Sequence, residues 1–173
     1  MRENVRRLTL DACLTAVALT VFILELQLPP LVPALPEIKL GLANVITLVA
    51  VFLLRPSDAA AIQYVRIILG CLFSGRITAM AYSLAGGTLC LVVMLLMRRV
   101  LTDRQAWVAS VAGALAHNAG QLAVAVVMLG TSQLAFVYLP ILAFAGTLAG
   151  IFTGAAATAS LVPIRRIMFR DKK

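Results

Sequence analysis

The stretch Trp107–Leu129 reads WVASVAGALAHNAGQLAVAVVML and contains no formally charged residue. As a helix rising about 1.5 Å per residue, it is long enough to cross the roughly 30 Å hydrocarbon core of a bilayer. Three strongly polar side chains, His117, Asn118 and Gln121, interrupt it. Polar groups at that depth are costly, so they face the protein interior and often mark a functional path. His117 and Gln121 are four apart and share a helical face, and His117 is the single histidine of the chain.

The same signal repeats along the sequence. The chain has 173 residues, is 62% hydrophobic and has a mean hydropathy of +1.00. Apolar runs lie at about 8–28, 41–54, 58–75, 78–97, 106–129 and 134–164. The second is short for a span, and the last carries Pro140, which predicts a kink or a late start. The expected fold is all-α: one integral-membrane domain over residues 1–173, a compact bundle of six transmembrane helices.

The net charge of +8 invites a nucleic-acid reading, but its distribution argues against one. Arg2, Arg6, Arg7, Arg55, Arg98, Arg99, Arg104, Arg165, Arg166, Arg170, Lys172 and Lys173 fall on one side of a six-span chain. Only Lys39 and Arg76 fall on the other, with Arg66 inside the third run. This is the positive-inside bias, and it predicts a multi-pass protein of the cell membrane with both termini in the cytoplasm. The first run is too long for a signal peptide and is expected to be a retained helix. Cys13, Cys71 and Cys90 make neither a disulfide framework nor a zinc pattern, and read as buried small residues.

Between the first two runs lie Pro29, Pro30, Pro33 and Pro36, a density that excludes regular helix. The apolar loop 29–40 fits either a gate folded over a cavity or a re-entrant connection. Arg66 requires a carboxylate, a carbonyl cage, water or an anionic ligand. Glu25 is one partner for it and a bound anion is another. His117, Asn118 and Gln121 suit interhelical hydrogen bonding or, better, ligand contact. Glu25, Asn44, Arg66, Tyr82 and Gln121 all map to the midplane or the outer half, which predicts a cavity open to the outside. Ala12-x-x-x-Ala16 on the first helix suits close packing within the bundle or docking of another membrane protein. Gly146, Gly150 and Gly154 form a close-packing stripe, and the pair Gly86-Gly87 permits close approach or local unwinding.

No G-x-x-x-x-G-K-[ST], H-E-x-x-H or G-x-S-x-G occurs, and the aspartates are widely separated, without the paired motif that magnesium-dependent prenyl transfer uses. Neither a metal nor a cofactor is expected, and the chain reads as a non-enzymatic subunit.

The order Glu25, proline-rich loop, Lys39-Leu-Gly-Leu-Ala-Asn44, Val65-Arg66-Ile-Ile-Leu69, Ser83-Leu-Ala-Gly86-Gly87 and His117-Asn-Ala-Gly-Gln121 resembles the Gx transporter family, labelled heptaprenyl diphosphate synthase component I. The resemblance spans roughly residues 8–160. That family is similar to the substrate-binding S components of energy-coupling factor transporters. The resemblance implies an outward pocket that captures a small anionic or polar molecule. It implies docking through Ala12 and Ala16 to a shared transmembrane subunit driven by two ATPases, and a toppling cycle that releases the ligand inside. The substrate-binding residues expected on this reading are His117, Asn118, Gln121, Arg66, Glu25, Lys39, Asn44 and Tyr82. The label itself implies an alternative, a membrane subunit of prenyl diphosphate or quinone biosynthesis.

Overall fold

The computed structural model describes residues 2–29 and 37–168, and no strand occurs among them. Six α-helices follow one another: α1 (Arg2–Leu26), α2 (Asn44–Leu53), α3 (Pro56–Phe73), α4 (Ile77–Arg98), α5 (Ala106–Leu129) and α6 (Gln133–Met168). Their surfaces carry exposed Leu24, Ile68, Leu72, Val92, Leu96, Val127, Phe136, Phe144, Leu148 and Phe152. So much exposed apolar surface is foreign to a water-soluble monomer and natural against lipid. α1, α4, α5 and α6 contain segments long and apolar enough to cross a membrane. The protein is thus a multi-pass membrane protein. α2 has only ten residues, and the apolar run of α3 is interrupted by Asp58, Gln63 and Arg66.

The boundaries have local causes. α1 starts at Arg2 rather than near residue 8, because arginine is a good helix former and carries the helix beyond its apolar run. Pro56 opens α3 at a position that needs no N–H, behind an extended Arg55. Gly130, at φ 67°, closes α5 with a left-handed cap. Pro140 does not delay α6: the helix runs through both Pro140 and Pro163.

α2 is the hub. It packs against all five other helices, which follow around it as α1, α3, α4, α5 and α6, each touching the next up to α6. Its residues Thr47 to Phe52 are all buried, as expected of a helix apolar on every side. At about 15 Å it is too short to reach two water layers, so its end groups need partners inside the protein. No side chain of its own caps its start. Glu25 of α1 does so instead, accepting the Gly41 N–H at 2.5 Å, with the amides of Leu42 and Ala43 nearby. At its far end Arg98 donates to the Leu54 carbonyl at 2.9 Å and Arg165 to that of Phe52 at 3.3 Å. Negative charge at the first end and positive at the last match the helix dipole.

Glycines set the spacing of the larger helices. A Cβ on Gly120 would come within 2.8 Å of the Ala85 carbonyl, so α4 and α5 are nearly in backbone contact. On α6, a Cβ at Gly150 or Gly154 would lie 2.7 Å from the Cα of Val111 or Trp107 on α5. The pair Gly86-Gly87 stays helical, each glycine admitting a different neighbour: Gly86 faces His117 and Gln121 of α5, and Gly87 faces Gln63 of α3. Cys71 and Cys90 are buried, whereas Cys13 is exposed on α1 beside the exposed Ala12 and Ala16.

Candidate functional site

The polar residues of the bundle converge around the start of α2. Arg66, on α3, is 2% exposed. Its Nη2 donates to Asn44 Oδ1 at 3.0 Å and to Gln63 Oε1 at 2.7 Å. Thr47 donates its hydroxyl to the same Gln63 oxygen at 2.5 Å. Gln63 and Arg66 are three apart, as are Asn44 and Thr47, so each pair shares a helical face and the two faces meet. Glu25 forms no ion pair with Arg66; its carboxylate is held at the start of α2 by Gly41.

The segment Glu37–Gly41 lies over this network. Ile38 is 1% exposed and packs with Tyr82, Leu122, Ala125 and Leu142. The Lys39 N–H donates to Gln121 Oε1 at 3.1 Å. Glu37 accepts from Arg76 Nη2 at 3.0 Å and from the Thr78 hydroxyl at 3.4 Å. Gly41 takes φ 76°, and a Cβ there would lie 2.6 Å from Asn44 Nδ2 and 3.0 Å from His117 Cδ2. Only glycine meets both conditions without strain.

Beneath this segment Phe22, Glu25, Lys39, Gly41, Arg66, Ile67, Ser83, His117 and Gln121 enclose a small space. It offers the centre of a water molecule about 10 Å³, room for about one water. The expected cavity is thus no larger than this in the structure. Lys39 Nζ stands 4.8 Å from the centre of the Phe22 ring, and the Arg66 guanidinium 5.7 Å from it. Both distances suit cation–π contact. Burial holds the Lys39 ammonium below the ordinary lysine range, since an enclosed charge is poorly solvated.

Of the residues expected at a substrate site, Glu25, Lys39, Arg66, His117 and Gln121 line this space, and Asn44 braces Arg66 from behind. Asn118 turns away, donating Nδ2 to the Leu142 carbonyl of α6 at 2.7 Å. Tyr82 packs in the apolar cluster around Ile38. The loop 29–40 falls partly outside the described residues, which resume at Glu37. Phe22, Gly41, Gln63 and Ser83 were not among the expected substrate-binding residues. A search for polar residues one turn from Asn44 and Arg66 would have found Thr47 and Gln63; nothing local marks Phe22.

The other end of the bundle is closed by charge. Arg7 grips Asp58 through Nε, at 2.8 Å, and through Nη2. Arg165 reaches Asp103 at 3.1 Å. Among the described residues no group of His, Cys, Asp and Glu is arranged to hold a metal ion.

Comparison with curated proteins and with solved structures returned no match. A family model described as heptaprenyl diphosphate synthase component I matches residues 14–160. The description names one component of a multi-subunit assembly. Covering most of the sequence, that match shows that the chain belongs to the heptaprenyl diphosphate synthase component I family.

Proposed function

We propose that this protein is the substrate-capturing subunit of a membrane uptake system, similar to the S components of energy-coupling factor transporters. The observation that carries this reading is the cluster around the start of α2. Charged and amide side chains from α1, α2, α3 and α5 are buried there, and Lys39 Nζ, Asn44 Nδ2, Gln63 Nε2, Arg66 Nε and Gln121 Nε2 have no hydrogen-bond partner. Buried donors without acceptors are costly, and a polar ligand would relieve the cost. A bundle held together by ordinary packing has no use for so many unmet groups at one point.

On this reading the six helices form one bundle in the cell membrane, both termini are cytoplasmic, and the site opens outward. The ligand is a small anionic or polar molecule. It is hydrogen-bonded by Arg66, His117 and Gln121 and covered by the segment Glu37–Gly41. The exposed Ala12 and Ala16 on α1 let a transmembrane partner approach closely, and that partner couples the subunit to two ATPases. The protein itself catalyses nothing.

The test is ligand binding by the purified protein, wild type beside Arg66→Ala and His117→Ala. Loss of binding of at least tenfold in each variant is expected; normal binding by both would remove the site assignment. The family's description favours a second reading, a membrane subunit serving prenyl diphosphate synthesis. Prenyl transfer by the purified chain with magnesium, lost in His117→Ala, would establish that reading and end the transport one.

A further inference from the structure

The unmet hydrogen bonds of the enclosed space are one-sided. Lys39 Nζ, Arg66 Nε and Gln121 Nε2 lack acceptors. Those residues all line the same space. Lys39 is 8% exposed, Arg66 2% and Gln121 0%, so bulk water does not serve them. Two cations line the space and Glu25 is the one carboxylate among its lining residues. No ion pair joins Glu25 to either cation; the carboxylate is spent on the start of α2. The lining thus holds a surplus positive charge in a poorly solvated place, an arrangement that a bound counter-charge stabilises.

Resting on the capture role proposed above, we infer that the group recognised here is an oxyanion, a carboxylate or a phosphate, seated between the Lys39 ammonium, the Arg66 guanidinium and the Gln121 amide, and that Glu25 is its internal competitor. An oxyanion is all acceptor, which matches a lining whose free groups are donors. Phe22 fixes the position of both cations from the side. Glu25 adds negative charge to the same lining, which weakens the field an incoming anion meets. Glu25→Gln keeps a carbonyl oxygen for the Gly41 N–H and removes only the charge.

The measurement is the unfolding midpoint of the purified full-length protein in detergent, titrated with inorganic phosphate, with acetate, and with chloride at matched ionic strength. An anion bound only by the folded state raises the midpoint in proportion to its affinity. We expect phosphate or acetate, but not chloride, to stabilise the wild type. Which of the two acts identifies the chemistry. Glu25→Gln should bind about tenfold more tightly and Lys39→Met about tenfold less, as removal of one nearby charge implies. Lys39→Arg, which keeps the charge, should retain the response. A Glu25→Gln protein indifferent to both anions, or a Lys39→Met protein stabilised as strongly as the wild type, would overturn the inference. A native ligand that co-purifies equally with wild type and Lys39→Met would leave the capture role standing and remove the anion seat. No co-purifying molecule, with no response to either anion, would remove both.

Discussion

At the scale of single residues, Gly41 and Lys39 set the site. Gly41 holds a left-handed backbone against His117 and Asn44 and offers its N–H to Glu25. Gly41→Ala is expected to cost about 1–2 kcal/mol from the backbone conformation alone, with more from the contact of the new Cβ. A lowered midpoint in thermal unfolding would register it. Lys39 gives a pH signature. Burial lowers its pKa from the usual 10.5, so its proton leaves at a lower pH than that of an exposed lysine. Acetate remains ionised over that range. Its affinity should therefore fall as pH rises toward 10.5, and Lys39→Met should show no such fall.

At the scale of elements, the central helix α2 depends on charges borrowed from elsewhere in the chain. Glu25 supplies its start, and Arg98 and Arg165 supply its end. Replacing both arginines with alanine leaves two carbonyls near the end of α2 without these donors. The double variant should lose about 1–2 kcal/mol, read by chemical or thermal denaturation. Ligand affinity at the opposite end of α2 should not change. This dependence was not legible in the sequence. The apolar run 41–54 announces a helix, and its shortness announces buried ends. Nothing local says that the partners stand 16 residues before Gly41, at Glu25, or 113 residues beyond Phe52, at Arg165. The glycine positions were more legible, because small residues four apart on α6 have one common use in a membrane helix. Pro140 was expected to delay or kink α6; the helix begins at Gln133 and runs on through it, so no delay occurs. The carbonyl left without a donor by Pro140 belongs to the exposed Phe136.

At the scale of the whole molecule, an arc of five helices around a short sixth creates one enclosed polar region in a surface otherwise fit for lipid. Composition alone made the helical membrane class legible, since few other structures bury backbone polar groups in hydrocarbon. It also made His117, Gln121 and Arg66 conspicuous by their cost. It did not say that Asn118 would turn to α6, since adjacent helical residues point about 100° apart and only one can face the centre. Nor did it say that Glu25 and Arg66 would stand in one lining without pairing. The central claim is that this region exists to hold a small molecule. Native mass spectrometry of the protein extracted from its own membranes tests it most directly. A bound small molecule on the wild type, absent from Arg66→Ala and His117→Ala, is the result predicted. A wild-type protein that carries nothing, or variants that keep the same adduct, would contradict it.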